Sequence, residues 1–332
     1  MAYTTIDDPE KYFQCVLYTG NGSNRTISYP NADADLDADM IWIKQRSDAT
    51  SHTIFDSVRG VQEAIFTNNT NAETTRTDAV SAFGTDGFDL GANGDLNANT
   101  ETHVAWCWKE SADSGFDIVS FTGNQTARTI SHSLSAKPEW LWIKNREKVE
   151  SWHMQHGALG ATQTAETNTA NAFGGGSTIW NDTEPTTSVF SVGNNGNINE
   201  TGSDIVVYLW ASKQGFSKFG KYVGNANSDG PFIYLGFKPA FFIYKCSDTN
   251  GEEWKILDNK RDPFNRGSQR NLNLHTDTAE SDDTNSIGEF VSNGVKIRSA
   301  HNNINKSGST FVYMAFAEAP FVNSKGVPAN AR

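Results

Sequence analysis

The chain has 332 residues, with 27 Lys and Arg against 39 Asp and Glu, a formal charge of −12. Such an acidic balance excludes the broad positive field that neutralises phosphates, so nucleic acid is not an expected partner, and it excludes a polybasic membrane anchor. The 37% apolar fraction is low, and 28 Gly, 32 Asn and 31 Thr favour turns and short strands over helices.

In chain order, residues 1–14 open as a polar arm in which Met1 to Pro9 shows no basic start followed by an apolar run, so no secretory signal is expected. From residue 15 the chain repeats. Thr19-Gly20-Asn21 returns as Thr122-Gly123-Asn124 and Val223-Gly224-Asn225, and Met40-Ile41-Trp42-Ile43-Lys44 as Trp140-Leu141-Trp142-Ile143-Lys144 and Phe241-Phe242-Ile243-Tyr244-Lys245. Leu96-Asn97, Ile198-Asn199 and Ile304-Asn305 each stand seven residues before a valine, Val104, Val206 and Val312. These matches divide the chain into an N-terminal arm 1–14, units 15–111, 115–213 and 217–322, and a tail 323–332. A period near 100 residues is domain-sized, so each unit is expected to carry its own core.

Within a unit the pattern is strand. Val104 to Trp108, Val206 to Trp210 and Val312 to Phe316 place large residues on one face and Cys107, Leu209 and Ala315 on the other, which predicts a central strand covered on both sides. Asp86-Gly87 and Asn293-Gly294 predict tight hairpins, absent at the matching place in the second unit. Helical turns are expected only over residues 10–16 and 161–172. The expected fold class is therefore all-β: three tandem antiparallel β-sandwich, jelly-roll-like domains. The longest apolar stretch, Pro231 to Tyr244, is too short to span a bilayer as a helix and contains Lys238, so no membrane insertion is expected.

Chemistry is sparse. Gly20-x-Gly22 lacks the third glycine of a dinucleotide fingerprint. His153 and His156 fall on opposite faces of a strand, and the run Asp33-Ala34-Asp35-Leu36-Asp37-Ala38-Asp39 reads as a solvated loop ahead of a Ca²⁺ site. Cys15, Cys107 and Cys246 are odd in number with no Cys-x-x-Cys pair, the pattern of buried thiols and not of disulfides or zinc. No catalytic residue, metal or cofactor is assigned. Asp56 with Arg59, and Asp258 with Arg261, read as exposed local pairs that fix a loop, worth under about 1 kcal/mol, with a binding site built twice as the alternative. Trp152, Trp180 and Trp254 stand near loops, as candidates for stacking on a saccharide or for rim packing. Tyr3, Tyr12 and Phe13 are candidate assembly contacts, because the arm has no counterpart between units and suits docking on a neighbour.

Val16-Leu17-Tyr18-Thr19-Gly20-Asn21-Gly22, Ile41-Trp42-Ile43-Lys44, Thr102-His103-Val104-Ala105-Trp106-Cys107-Trp108-Lys109 and the run from Gly215 to Asn225, with the opening Ala2 to Pro9 and the closing Pro320 to Pro328, resemble a family of β-rich virion proteins of marine and freshwater tailed phages, notably cyanophages and pelagiphages. The resemblance covers nearly the whole chain. It implies a non-enzymatic structural protein, a tail-fibre, appendage or surface-adhesion component. Alternatives are a capsid decoration protein, or a free carbohydrate-binding or glycan-degrading sandwich protein. The expected partners are other virion proteins, further copies in a homo-oligomer, and a host-surface glycan. The expected location is the virion, assembled in the bacterial host cytoplasm and released by lysis, which suits a chain without a secretory signal.

Overall fold

The computed structural model describes residues 3–329. The three repeats build three six-stranded antiparallel sheets with the same strand order. In the first, Phe13–Thr19 pairs with Thr102–Trp108, which pairs in turn with Met40–Gln45, followed by Thr53–Asp56, Gly60–Phe66 and Thr74–Thr75. Asp204–Trp210 and Thr310–Pro320 occupy the second place in the other two sheets. Thr102–Trp108 is thus flanked on both sides and buried on both faces from His103 onward, as its apolar pattern predicts. Each large sheet is accompanied by a small one: Arg25–Ser28 with Gly87–Leu90 and Val80–Gly84, Arg128–Ser131 with Val189–Val192, and Phe232–Tyr234 with Gly294–Ile297 and Gly288–Val291.

The expectation of three separate cores needs correction. Outer faces do form local clusters: Ile41, Ile43, Phe55 and Cys107 pack with Ile27 and Phe88 in the first unit, and Leu141, Ile143 and Leu209 pack with Phe190 and Trp180 in the second. The inner faces of all three sheets, however, join one continuous cluster containing Trp42, Trp106, Trp108, Trp140, Trp142, Tyr208, Trp210, Phe241 and Phe316. Its rings interlock across units, Trp42 with Trp142 at 5.7 Å, Trp108 with Trp210 at 6.5 Å, and Trp108 with Phe241 at 5.6 Å. Such T-shaped pairs add about 0.5–1.5 kcal/mol each beyond area burial. A sheet face composed of tryptophan must be covered, and here the other two units cover it.

Turns also differ from expectation. Hairpins form at Gly84–Gly87 and Val291–Gly294, but neither Asp86-Gly87 nor Asn293-Gly294 adopts positive φ. The glycines are there for space: a Cβ on Gly87 would lie 2.2 Å from the Ile27 carbonyl oxygen, and one on Gly294 2.1 Å from that of Ile233. In the second unit a short helix, Ser177–Trp180, replaces the corresponding strand. Residues 161–172, expected to turn helically, contain the strand Gln163–Glu166, and residues 10–16 hold only the end of the 3-10 turn Pro9–Lys11 before their strand begins.

The ends are docked within the chain. Ile6 is buried in the shared core, the Thr4 hydroxyl donates to the Gln214 carbonyl at 2.7 Å, and the Ser324 amide donates to Asp7 at 2.7 Å. Phe13 is the first residue of the first sheet and stacks on Phe316 of the third unit at 5.3 Å, while Tyr12 meets Phe216 edge-on at 5.9 Å. The arm therefore closes the third unit onto the first instead of waiting for a neighbour. Residues 1–2 of the arm and 330–332 of the tail lie outside the described residues.

Candidate functional site

The repeated motifs are consumed by structure. Asn97, Asn199 and Asn305 are fully buried, and each side chain clamps the Gly-Asn loop of its own unit. The Asn97 amide nitrogen donates to the Ser23 and Gly91 carbonyls, and its oxygen accepts from the Asn21 amide at 3.0 Å. Asn199 and Asn305 repeat the same acceptance from Asn124 and Asn225. The glycine is obligatory because a Cβ on Gly20, Gly123 or Gly224 would lie 2.1, 2.1 or 2.2 Å from the facing carbonyl oxygen. Lys44, Lys144 and Lys245 end the inner faces with no exposed surface, and each ammonium donates to backbone carbonyls, including 2.9 Å to Asn145 and 2.7 Å to Cys246. Burial pushes each of the three down to about 8.

The two Asp–Arg pairs correct the expectation of surface contacts. Asp56 and Arg59 are wholly buried, with Nε to Oδ2 at 2.5 Å, and Asp56 also accepts from the Tyr208 hydroxyl of the second unit at 2.5 Å. Arg59 continues to Glu73, and Glu73 to Arg146 of the second unit. The same relay runs from Trp106 through Asp258, Arg261 and Glu280 to Arg46, joining the third unit to the first. Burial alone would raise the Asp258 carboxyl, but the Arg261 guanidinium outweighs it and holds it below the usual range. At the remaining seam His156 takes the aspartate's place, its Nε2 lying 3.2 Å from the Tyr313 carbonyl oxygen, where the side chain aligned with Trp106 and Tyr208 is Met314, which has no proton to donate.

Of the tryptophans read as saccharide contacts, Trp152, Trp180 and Trp254 are all 0% exposed, so none presents a ring face to a ligand. Trp152 donates across a seam to the Phe66 carbonyl at 2.6 Å, Trp254 packs on Trp140 of the second unit, and Trp180 fills that unit's outer core. Of the assembly candidates, Phe13 is buried and Tyr12 partly so, as described above. Tyr3 belongs to something else. In the acidic run, Ala34, Leu36 and Ala38 are buried and Asp33, Asp35 and Asp37 exposed, so the carboxylates point outward instead of converging. His153 and His156 share a strand and both are buried; among the described residues no three metal-ligating side chains cluster. The three cysteines are buried and unpaired.

What the repeat does not explain lies on the third unit. At the edge of its small sheet the outward-facing positions are Phe232 and Tyr234, 48% and 49% exposed. Register against Gly87 and Gly294 aligns them with Thr26 and Ser28 of the first unit. Two hydroxyl residues have become two solvent-facing aromatics. Beside them a cavity of about 450 Å³ opens between the second and third units, lined by Tyr3, Tyr234, Lys218, Phe219, Glu139 and Ser217 among others. The Tyr3 hydroxyl donates to the Gly236 carbonyl at 2.8 Å, and Lys218 donates to the Tyr234 carbonyl at 2.7 Å with its ammonium 5.3 Å from the Tyr234 ring. Burial first, then the neighbouring Tyr234, pushes the Tyr3 phenol up to about 12, so it remains a donor at neutral pH. Gly236, at φ +83°, admits the arm, since a Cβ there would lie 2.6 Å from the Tyr3 hydroxyl. The groove thus offers ring faces, an ammonium, a carboxylate and hydroxyls at one solvent-open seam.

Fold and site together define an all-β protein in which three repeated units enclose one aromatic core and an exposed aromatic groove opens where the third unit meets the second. The chain belongs to the DUF7483 family, a domain of unknown function whose model matches residues 8–320. No curated protein matches it.

Proposed function

We propose that this chain is a non-enzymatic component of a phage particle, built of three tandem sandwich-like, jelly-roll-like units, that uses the groove around Tyr3 and Tyr234 to hold a host-surface glycan. The observation that carries the reading is the exchange of Thr26 and Ser28 for exposed Phe232 and Tyr234 at aligned outward positions. Exposed rings are retained against the tendency to bury them where something flat and partly apolar covers them, and the C–H face of a pyranose fits that description. Glu139 and Lys218 supply the polar contacts that fix orientation in such sites. The phage context rests on the resemblance of the repeat sequences to virion proteins. A particle component displayed in several copies gains avidity from weak sites, and a homo-oligomer would multiply it further.

Two measurements test this. Mass spectrometry of purified particles should find the protein in stoichiometric amount; its absence there rejects the virion assignment and leaves a free carbohydrate-binding protein. A glycan array probed with the whole chain and with Tyr234→Ser should show binding that the substitution removes. An array blank for both proteins rejects the groove as a glycan site.

A further inference from the structure

The loop after the strand that ends in Asp56, His156 or Asp258 differs in length from unit to unit. Between strand ends it comprises residues 57–59 in the first unit, 157–162 in the second and 259–268 in the third, so it grows from three to six to ten residues. The added segment of the third unit carries Pro263, Phe264 and Arg266, and Phe264 is 76% exposed, the highest value among the exposed large apolar side chains of the described residues. With the strand that follows and the seam to the first unit, it bounds a cavity of about 350 Å³ lined by Leu17, Arg46, Lys260, Arg261, Asp262, Pro263, Phe264, Arg266 and Arg270. Five cations and one carboxylate line this space in a chain of charge −12.

The floor is rigid. Arg261 and Arg46 are tied to Glu280 at 3.2 and 2.7 Å, with side chains 0% and 11% exposed. Arg266 and Arg270 stand at the rim, each 40% exposed; Asp262 and Asp282 lie beside Arg266 at 3.0 and 3.1 Å, and Glu280 and Asp282 beside Arg270 at 3.7 and 3.9 Å. Lys260 is the cation of this lining with no ion pair among the described residues, and Phe264, Pro263 and Leu17 supply the apolar part of the mouth. A ligand that matches it brings an anion and an apolar face together within about two sugar rings' length. A long polyanion is disfavoured by the repulsion of the remaining acidic surface. A peptide would seek a free strand edge, yet the neighbouring strand Gln269–Asn273 is already paired on both sides.

We propose that this cavity is a second binding site, specific for an acidic saccharide, a uronate or sulfated sugar whose charged group meets Arg266, Arg270 and Lys260 while its ring lies on Phe264. The site is separate from the aromatic groove and stands or falls without it. The test is calorimetric titration of the full chain with trigalacturonate, maltotriose, inorganic sulfate and a hexaglutamate peptide, repeated for Lys260→Ala, Arg266→Ala, Phe264→Ala and Tyr234→Ser, with thermal melts to confirm folding. Trigalacturonate should bind, weaken as salt rises, and lose on the order of tenfold in affinity for each of Arg266→Ala and Phe264→Ala, as expected for a charge-assisted contact and a stacked ring. Tyr234→Ser should leave this binding intact, which separates the site from the groove. No trigalacturonate binding, or binding unchanged in the folded Arg266→Ala and Phe264→Ala proteins, overturns the proposal. Sulfate binding as strongly as trigalacturonate, or a preference for maltotriose or hexaglutamate, overturns the ligand class.

Discussion

Single residues here are burdened by where the fold puts their polar ends. Asn97, Asn199 and Asn305 hold loop carbonyls that no water reaches, so Asn97→Ala, Asn199→Ala and Asn305→Ala should each cost roughly 1–3 kcal/mol in urea denaturation, through unmade hydrogen bonds more than lost volume. The buried lysines give a pH signature. Their folded values, about 8, lie below the ordinary lysine range. Between pH 8 and about 10.5 the unfolded lysine binds a proton that the folded one lacks, so stability from this source rises with pH and is lowest below 8. Lys144→Met should therefore be most stabilised relative to the parent at pH 7, net of its lost carbonyl contacts. That relative gain should shrink by about 3 kcal/mol as pH approaches 10.5, read from denaturation midpoints across the range. A difference between the two proteins that does not vary with pH would show an ammonium that keeps its ordinary affinity for protons.

At the level of strands and loops, what each element faces decides whether it holds the fold or meets a ligand. The edge strand Phe232–Tyr234 holds its place through Ile233, which is 5% exposed, and not through its two outward rings. Giving it the first unit's residues, Phe232→Thr with Tyr234→Ser, should change stability by no more than about 0.5 kcal/mol while removing glycan binding. A clear fall in melting temperature would make the rings structural. The strand pattern and the central place of Thr102–Trp108 were legible in the sequence because period-2 alternation is a local property, and the Gly-Asn motifs were legible as repeats, though not their cause, the approach of Gly20 to the distant Ala98 carbonyl. The ring of inner faces was not: alternation at Trp106 and Trp108 states that a face is covered without stating by what. The i, i+3 spacing of Asp56 and Arg59 likewise says nothing of burial, which here comes from Tyr208 far along the chain. Trp152 and Trp254 stand beside loops in sequence and at seams in space for the same reason. The groove and the long third loop did carry a signal, namely the difference between repeats at otherwise aligned positions, which a search for similarity passes over.

As a whole the molecule should behave as one cooperative body in spite of its repeats. Calorimetry should give a single transition, and residues 115–213 alone should fail to fold, since Trp140, Trp142 and Trp210 would face water. Two or three resolved transitions would restore independent domains. Deleting residues 1–9 should destabilise the whole chain by about 1.5–3 kcal/mol, the burial of Ile6 being lost together with the contacts of Thr4 and Asp7. The contact between Asp7 and Ser324 has a topological consequence as well. Because the two ends of the described chain meet on one side, a short peptide joining them would turn the sequence into a loop with no preferred starting point. A circular permutant opened at the turn near Asp113 or near Gln214 should then recover the same structure with its units in rotated order, as a closed necklace can be unclasped at any bead.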